Sequence, residues 1–258
     1  MRVAVLSDIH ANLHALEAVA KDLEREGAQE IWCLGDIVGY GGHPHECLGW
    51  VVEHATYVVK GNHDDAVVTG DTAWFNPMAA HAARKHAQLL NDAEKQRLAA
   101  WPLEIRRRMA AADILLVHGS PEDPLHEYVQ PNDAIAGMRR WHDKGDLLLM
   151  GHTHLPFAAS PSGLPSGAAA GSGARRAWRF DGFRETPSTV DPRAPFVVNP
   201  GSVGQPRDGD ARASYALLDL DAHSATLRRV SYDVDAAAQA IAKLGLDSAL
   251  GQRLYRGR

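Results

Sequence analysis

Short apolar runs alternate with amphipathic segments along the first quarter of the chain. The apolar residues between Leu13 and Leu23 recur with the spacing of one helix face, and Gly27 follows them where a helix would end. The runs on either side are short enough for buried strands. The predicted elements are strands at Val3–Leu6, Ile31–Leu34 and Thr56–Lys60, and helices from Leu13 and over Pro44–His54. This order predicts βαβ units and a mainly parallel sheet.

The remaining chain changes from mixed helices and strands to consecutive strands. We predict helices over Pro77–Trp101, broken near Asn91, and around Asp133–Trp141, with strands near Leu103–Arg107 and at Ile114–Val117 and Leu147–Met150. Antiparallel strands are predicted at Phe196–Val198, Ser214–Leu220 and Ala225–Tyr232, before a helix from Asp233 to Leu244. We expect a single domain over 1–258. Its stretch at about 158–195, dense in Pro, Gly, Ser and Ala, would be an inserted hairpin loop, and about 233–258 a helical tail.

Composition and charge limit the function classes. The net charge of −5 provides no basic surface of the kind that nucleic acids select, which makes nucleic acid an unlikely partner. The two cysteines cannot form a disulfide framework. The first apolar run is too short for a signal peptide, and no run approaches the ~18 residues of a membrane span. We therefore expect a cytoplasmic protein with no membrane partner, and a homo-oligomer stays open.

Residues able to ligate a metal follow five of the apolar runs directly. They are Asp8 and His10, Asp36, Asn62 and His63, His118, and His152 and His154. Loops at the carboxyl ends of parallel strands meet at one edge of a sheet, so these side chains are expected to converge there. Gly35, Gly61 and Gly151 precede three of them, as expected where the backbone approaches a site closely.

The residue types suit two divalent ions. Two ions a few ångströms apart need a bridging carboxylate, for which Asp36 is the natural candidate. One ion would take Asp8, His10 and His154, and the other Asn62, His118 and His152. Nitrogen and oxygen ligands without thiolate are compatible with Mn, Fe, Zn, Co or Ni, so the ligand set does not single out one metal.

The blocks Asp8-x-His10, Gly35-Asp36, Gly61-Asn62-His63-Asp64, His118 and Gly151-His152-Thr153-His154 resemble the calcineurin-like metallophosphoesterase superfamily. The resemblance spans Val3 to about Leu220. It is closest to the small bacterial phosphodiesterase and phosphoesterase branch, which shares the blocks Asp8–Asn12, Gly35–Gly41 and Asn199–Gly204. The resemblance implies an α/β fold, a four-layer α-β-β-α sandwich of two mixed sheets.

The resemblance also implies a reaction. A di-metal centre, with Mn expected first and Fe, Zn, Ni, Co or Mg as alternatives, would hold a bridging hydroxide that attacks phosphorus in line. His63 would stabilise the transition state or protonate the leaving oxygen, with Asp64 orienting it. The expected substrates are small phosphodiesters or nucleotides.

Four further residues are candidates for substrate contacts. Asn12 could contact substrate or begin the first helix, since Asn is a favoured capping residue. Ser202 and Arg207 follow a turn that the resemblance puts at the rim of the site, where they would contact phosphate. Tyr40 could stack on a substrate ring or pack on its own loop.

Two alternatives remain beside the phosphodiesterase. One is a phosphomonoesterase or protein phosphatase with the same centre. It is disfavoured because Lys60 stands where the protein phosphatases and the dinucleoside-tetraphosphate hydrolases of the superfamily carry Arg. The other is a protein-binding scaffold without catalysis. Such relatives tend to lose His63 or several ligands, and this chain keeps all of them.

Overall fold

The computed structural model describes residues 1–109, 112–141, 143–159, 179–181, 188–189 and 196–258. The strands are β1 (Arg2–Leu6), β2 (Glu30–Cys33), β3 (Tyr57–Val58), β4 (Glu104–Met109), β5 (Ala112–Val117), β6 (Leu147–Leu149), β7 (Pro156–Ala159), β8 (Arg179–Asp181), β9 (Ser188–Thr189), β10 (Phe196–Pro200), β11 (Ala213–Asp219) and β12 (Ser224–Val230). The helices are α1 (Leu13–Glu26), α2 (Pro44–His54), α3 (Asn62–Thr69), α4 (Pro77–Leu89), α5 (Asp92–Ala100), α6 (Pro131–Gly137), α7 (Val234–Lys243) and α8 (Ser248–Leu254). No helix within these ranges has the length and apolar character needed to cross a membrane.

The strands form two mixed sheets. The first has the order β3-β2-β1-β11-β12-β8-β9, and the second has the order β4-β5-β6-β10-β7. In the first sheet β1 is parallel to β2 and antiparallel to β11. In the second, β5 is parallel to β6 and antiparallel to β4. The two mixed sheets implied by the resemblance are confirmed. The predicted βαβ strands β1, β2 and β3 are parallel, and the antiparallel pairing of β1 with β11 makes the first sheet mixed rather than mainly parallel. The ligand-bearing strands are divided between the two sheets.

The alternation of side chains along the central strands explains the layers. Val3 and Val5 of β1 belong to the apolar core between the two sheets, where β5 and β6 contribute from the other side. Ala4 and Leu6 point the opposite way, into a core formed with α1 and α2. The outer face of the second sheet packs on α6 in the same manner. Both faces of each sheet are thus covered, which gives the four-layer α-β-β-α sandwich.

Side-chain caps set the helix boundaries near the site. The Asn12 side chain accepts a hydrogen bond from the Ala15 N–H, 3.2 Å away, and starts α1. Asn91 caps α5 reciprocally with Glu94, which confirms the break predicted within Pro77–Trp101. α3 was not predicted, because its first residues are the polar block Asn62-His63-Asp64, which gives little helical periodicity.

The insertion expected at about 158–195 lies between two strands that do pair. β7 and β10 are antiparallel neighbours, with Ala159 opposite Val197. From residue 160 to residue 195, only β8 and β9 are among the described residues, and the rest of the predicted loop lies outside them. The helical tail expected at about 233–258 contains α7 and α8.

Candidate metal centre

The two sheets present their ligand-bearing loops to one place. β1, β2 and β3 supply it from the first sheet, and β5 and β6 from the second. Each side chain that the sequence predicted as a ligand or catalyst is at most 8% exposed: Asp8, His10, Asp36, Asn62, His63, Asp64, His118, His152 and His154. The structure therefore brings the whole predicted set together in a buried position.

Asp8, His10 and His154 form the first ligand cluster. The Nε2 atoms of His10 and His154 lie 3.1 Å apart. Oδ1 of Asp8 is 3.1 Å from Nε2 of His154 and 3.8 Å from Nε2 of His10. Three potential metal-ligand atoms, one from each side chain, therefore lie close enough together to coordinate one ion.

Hydrogen bonds at Nδ1 and burial together set the tautomer and the charge of the two histidine rings in the first cluster. Nδ1 of His10 donates to the Val38 carbonyl at 3.0 Å, and Nδ1 of His154 donates to the Gln205 carbonyl at 2.5 Å. Burial keeps the pKa of both rings well below the ordinary value, so each Nε2 carries a lone pair. Oδ1 of Asp8 is buried and has no hydrogen-bond partner in the described part of the chain. Only acceptors face one another here, an arrangement that a bound cation would satisfy.

Asp36, Asn62, His118 and His152 form the second ligand cluster. Nε2 of His118 lies 3.0 Å from Nδ1 of His152 and 3.1 Å from Oδ1 of Asn62. Oδ2 of Asp36 is 3.4 Å from the same His118 nitrogen. The donors are again nitrogen and oxygen atoms, the set that borderline divalent ions prefer.

The histidines of the second cluster are oriented by backbone carbonyls. Nδ1 of His118 donates to the Leu34 carbonyl and Nε2 of His152 donates to the His126 carbonyl, so Nε2 of His118 and Nδ1 of His152 are the nitrogens that meet. Burial alone would lower the pKa of His118, but the Asp36 carboxylate outweighs it and raises that pKa to about 9. Burial and the neighbouring His118 lower the pKa of His152 to about 3. The Asp36 field therefore attracts positive charge to this point.

Asp36 faces both ligand clusters. Its Oδ2 is 3.4 Å from Nε2 of His118 and 3.6 Å from Nε2 of His10, while its Oδ1 accepts the His63 N–H at 2.8 Å. Burial alone would raise the pKa of Asp36, but His118 and His63 outweigh it and hold that pKa well below its usual range. An ionised carboxylate placed between two clusters of nitrogen and oxygen ligands is suited to binding divalent cations.

His63 lies beside the clusters, at the start of α3. Its ring packs between Tyr40, at 4.5 Å, and Phe75, at 4.4 Å, with the ring of His10 4.9 Å away. Burial lowers the pKa of His63 to about 4, and its buried Nδ1 has no hydrogen-bond partner within the described ranges. The ring is therefore neutral near pH 7 and held by aromatic contacts.

The Asp64 carboxylate binds backbone groups around the site. Both of its carboxylate oxygens accept hydrogen bonds from the loops that carry the ligands. The four donors are the backbone N–H groups of Asp36, Ile37, Val38 and Gly61, at 2.8, 2.9, 3.2 and 3.0 Å. Since Nδ1 of His63 has no hydrogen-bond partner among the described residues, the structure shows no hydrogen bond by which Asp64 would orient that ring. Asp64 instead fixes the loop that presents Asp36.

The ligand-bearing backbone adopts an unusual conformation. Positive φ angles of 54, 48, 54, 67 and 60° occur at Asp8, His10, Asp36, His152 and His154. Non-glycine residues seldom adopt this left-handed region. A Cβ at Gly61 would collide with Oδ1 of Asp36, and one at Gly151 with Oγ of Ser7, which confirms the expected close backbone approach.

Residues 1–223 match the calcineurin-like phosphoesterase superfamily domain. The chain belongs to that superfamily. It is therefore a phosphoesterase, of a family that uses divalent metals. It is 34% identical over 258 residues to the uncharacterized protein MJ0912 of Methanocaldococcus jannaschii, covering 99% of this chain and 98% of the relative.

Two further relatives support this assignment. Phosphodiesterase YfcE of Escherichia coli strain K12 is 27% identical over 236 residues, covering 86% of this chain and 89% of its own. The crystal structure of a metallophosphoesterase from Sphaerobacter thermophilus covers both chains completely, with 34% identity and a TM-score of 0.79. The superfamily predicted from the sequence blocks is confirmed.

Two of the predicted substrate contacts in this phosphoesterase have structural roles. Oδ1 of Asn12 caps α1, and its Nδ2 donates to the Gly204 carbonyl at 2.9 Å. The hydroxyl of Ser202 donates to the Asp8 carbonyl and accepts the Gln205 N–H, both at 2.7 Å, and the residue is fully buried. These polar groups hold the loops through hydrogen bonds, and their contact with substrate stays a prediction.

Arg207 and Tyr40 remain candidates in the phosphoesterase. The Arg207 guanidinium lies 5.9 Å from the centre of the Tyr40 ring, and its Nη2 donates to the Gln205 side chain at 3.0 Å. Its Nε is buried and has no hydrogen-bond partner among the residues that the structure describes. Lys60, the other basic residue considered from the sequence, forms an ion pair with Asp65, in which its Nζ lies 3.0 Å from Oδ1.

Apart from Tyr40, the sequence did not predict the aromatic residues of the cleft above the clusters. The cleft has a volume of about 210 Å³ and is lined by Tyr40, Asn62, His63, Trp74, Phe75, Asn76, Ala79, His126, Tyr128 and His152. We call Trp74, Phe75 and Tyr128 the aromatic rim. The only signal for it was a Trp-Phe pair just before a capped helix, which carries no periodicity.

His86 was also missed as a residue that supports the site. It is fully buried on α4, where its Nδ1 accepts the Gly39 N–H at 2.9 Å and its Nε2 donates to the Gly41 carbonyl at 3.0 Å. It thereby fixes the loop that carries Tyr40. Helical periodicity indicated only that His86 lies on a helix.

Proposed function

We propose that this phosphoesterase hydrolyses small phosphodiesters or nucleotides at a centre of two divalent metal ions, with manganese expected first. The observation that carries the proposal is the position of Oδ2 of Asp36, 3.4 and 3.6 Å from an imidazole nitrogen in each ligand cluster. A single carboxylate between two clusters of potential metal ligands is the arrangement that a pair of ions requires.

Each ligand cluster would hold one ion. The first ion would take Asp8, His10 and His154, the second Asn62, His118 and His152, and Asp36 would bridge them. When bound, the ions would polarise the phosphoryl oxygens and lower the pKa of water at the site, so that it can attack phosphorus in line. The backbone carbonyls behind the histidines accept the N–H of one ring nitrogen, so that the other nitrogen of each ring faces its cluster.

Two further side chains would act on the substrate. His63 would stabilise the transition state or donate a proton to the leaving oxygen, since its ring borders both His10 and the cleft. Arg207 would bind a phosphate oxygen, because its guanidinium lies over Tyr40 and its Nε lacks an acceptor among the described residues. Asp64 would act only by positioning the Asp36 loop.

The charges near the cleft favour a diester over a monoester. A monoester carries one more negative charge at neutral pH. Lys60, which would have to help neutralise it, is paired with Asp65 at 3.0 Å. Arg207, which lies near both Tyr40 and His154, is then a basic residue that could face the phosphate. The identity to a relative named a phosphodiesterase supports the same choice.

We further infer one domain over 1–258 and a cytoplasmic location. α7 and α8 pack in one apolar cluster with Tyr40, so the tail is part of the site's support. Both cysteines are free and buried, as expected in a reducing compartment.

A substrate panel tests the proposal. Diesters and monoesters would be assayed with Mn, Zn, Mg, Ni and no added metal, after chelation of the purified protein. We expect metal-dependent turnover with a preference for diesters. Hydrolysis of no ester with any metal would refute the enzyme and favour the scaffold alternative, and a monoester preference would refute the diester assignment.

A further inference from the structure

The cleft beside the ligand clusters has walls unlike its floor. We call the ligand clusters, with His63 and Asp64, the floor. Asn62, His63 and His152 are the floor residues that line the cleft, and the aromatic rim forms part of the walls. A phosphate held at the clusters would place one of its ester substituents in this cleft. Resting on the proposed function, we propose that the cleft binds a planar aromatic ring, such as a nucleobase, attached to the scissile phosphodiester.

The exposure of the aromatic rim is the first support. Trp74 is 86% exposed and Tyr128 is 53% exposed, and both are among the few large hydrophobic side chains that the described residues expose. Apolar surface gathered at one concave place, rather than scattered singly, is typical of a binding site. Ring faces that lack a partner in the protein can stack on a ring of the substrate.

The rim is also tied to the floor. The Tyr128 ring lies 3.7 Å from the His152 ring, and the Phe75 ring 4.4 Å from that of His63. Asn76 accepts the Ala79 N–H at 3.0 Å and caps α4 directly after Trp74 and Phe75. A group bound by the rim is therefore held at a fixed distance from the clusters.

Size and charge narrow the occupant. The cleft of about 210 Å³ is smaller than the ~300–1,000 Å³ of pockets for drug-sized ligands, which suits one ring system. None of its lining side chains is an acid, lysine or arginine. An uncharged planar group is therefore favoured over a second phosphate or a charged side chain.

A matched pair of substrates tests the inference. Thymidine 5′-methyl phosphate and its abasic counterpart, with hydrogen in place of thymine, present the same ester bonds to the metal-loaded enzyme. Hydrolysis would be followed by phosphorus NMR. We expect kcat/KM to be about 5- to 150-fold higher for the thymidine ester, the range found for stacking of one base on an aromatic side chain.

Variants assign the preference to the rim. In Trp74→Ala, KM for the thymidine ester should rise by most of that factor while kcat changes little, and Trp74→Phe should restore most of the preference. The ratio of kcat/KM for the thymidine ester to that for the abasic ester should therefore fall in Trp74→Ala and largely recover in Trp74→Phe. Leu103→Ala, which removes another exposed apolar side chain away from the cleft, is the control and should behave as wild type.

The outcomes separate this inference from the proposed function. If no diester is hydrolysed, the proposed function itself fails. If both esters are hydrolysed with equal kcat/KM in wild type and Trp74→Ala, only the aromatic subsite is refuted. The subsite is equally refuted if Trp74→Ala dissociates a dimer in sedimentation analysis and leaves the base preference unchanged, because a second copy would then cover the rim.

Discussion

The ligand clusters and the aromatic rim share one cleft, but different forces hold them. The ligand side chains are nearly inaccessible, and hydrogen bonds to the backbone orient their rings, as at Nδ1 of His10 and His118. Trp74 on the rim is 86% exposed. The difference separates two tasks, since the fixed floor would set the chemistry and the open rim would select the substrate.

The largest effect should come from the floor. Asp36→Asn keeps an oxygen for the His63 N–H but removes the charge shared by both clusters, so bound metal should fall and kcat should drop by more than about 10⁴-fold. Mass spectrometry of bound metal and steady-state kinetics would check this. Asp65→Asn, which removes a carboxylate paired with Lys60, is the control. Retention of metal and activity in Asp36→Asn would refute the shared ligand.

A second change tests a floor residue without a ligand role. His63→Ala should lower kcat by about 10²–10⁴-fold, the usual contribution of a general acid or base, with metal content unchanged. Phe75→Leu replaces the ring that packs on His63. It should keep most of the activity, because leucine still packs against His63. Unchanged kcat in His63→Ala would show that His63 is not catalytic.

The third prediction compares the stability contributions of floor and rim. Asp64→Asn replaces one oxygen by an amide donor, which leaves two buried backbone N–H groups without an acceptor. We expect a loss of about 2–5 kcal/mol in the free energy of unfolding. Trp74→Ala should change it by no more than about 0.5 kcal/mol, because the side chain is exposed. Urea unfolding in the presence of chelator measures both, and equal losses would erase the proposed distinction.

The smallest effect concerns pH and the support of the floor. Burial lowers the pKa of His86 from the ordinary 6.5 to about 4. Nδ1 also accepts the Gly39 N–H, so a proton on that nitrogen would face the Gly39 N–H and break the hydrogen bond. The unfolded chain takes up this proton first, so the stability that neutral His86 contributes is lost as pH falls from 6.5 towards 4. The loss should reach about 2 kcal/mol by pH 5.

His86→Gln isolates this contribution from the other buried histidines. Glutamine can both accept from Gly39 and donate to Gly41 but does not titrate. Unfolding free energies of wild type and variant, measured in chelator from pH 7.5 to pH 5, should therefore converge or cross as the pH falls. Parallel curves would show that His86 does not titrate in this range.

The floor was predictable from sequence because each ligand directly follows an apolar run. Strand ends are recognisable, and His118 and His152 need only be at such ends to meet. The strand pattern could not show that the two residues belong to a different sheet from Asp8 and Asp36. The pairing of β1 with β11, more than 200 positions away, depends on tertiary contacts that local periodicity does not encode.

The sequence was less informative about which groups each site residue hydrogen-bonds. It correctly put Asp64 and Ser202 near the site, but hydrogen-bond partners depend on loop geometry, and both side chains bind backbone groups of other loops. The aromatic rim was not foreseen for a related reason. Trp74 and Tyr128 lie 54 positions apart in irregular segments, and nothing in their spacing predicts that they line one cleft.

The left-handed backbone at five ligand-bearing residues has a thermodynamic consequence. Each such conformation costs a non-glycine residue roughly 1–2 kcal/mol, so together they cost about as much as the 5–15 kcal/mol by which an ordinary domain is stable. The sandwich must supply that free energy from its cores. Glycine at these positions would remove the ligands and relax the loops, and the resulting protein would be harder to unfold and unable to bind metal.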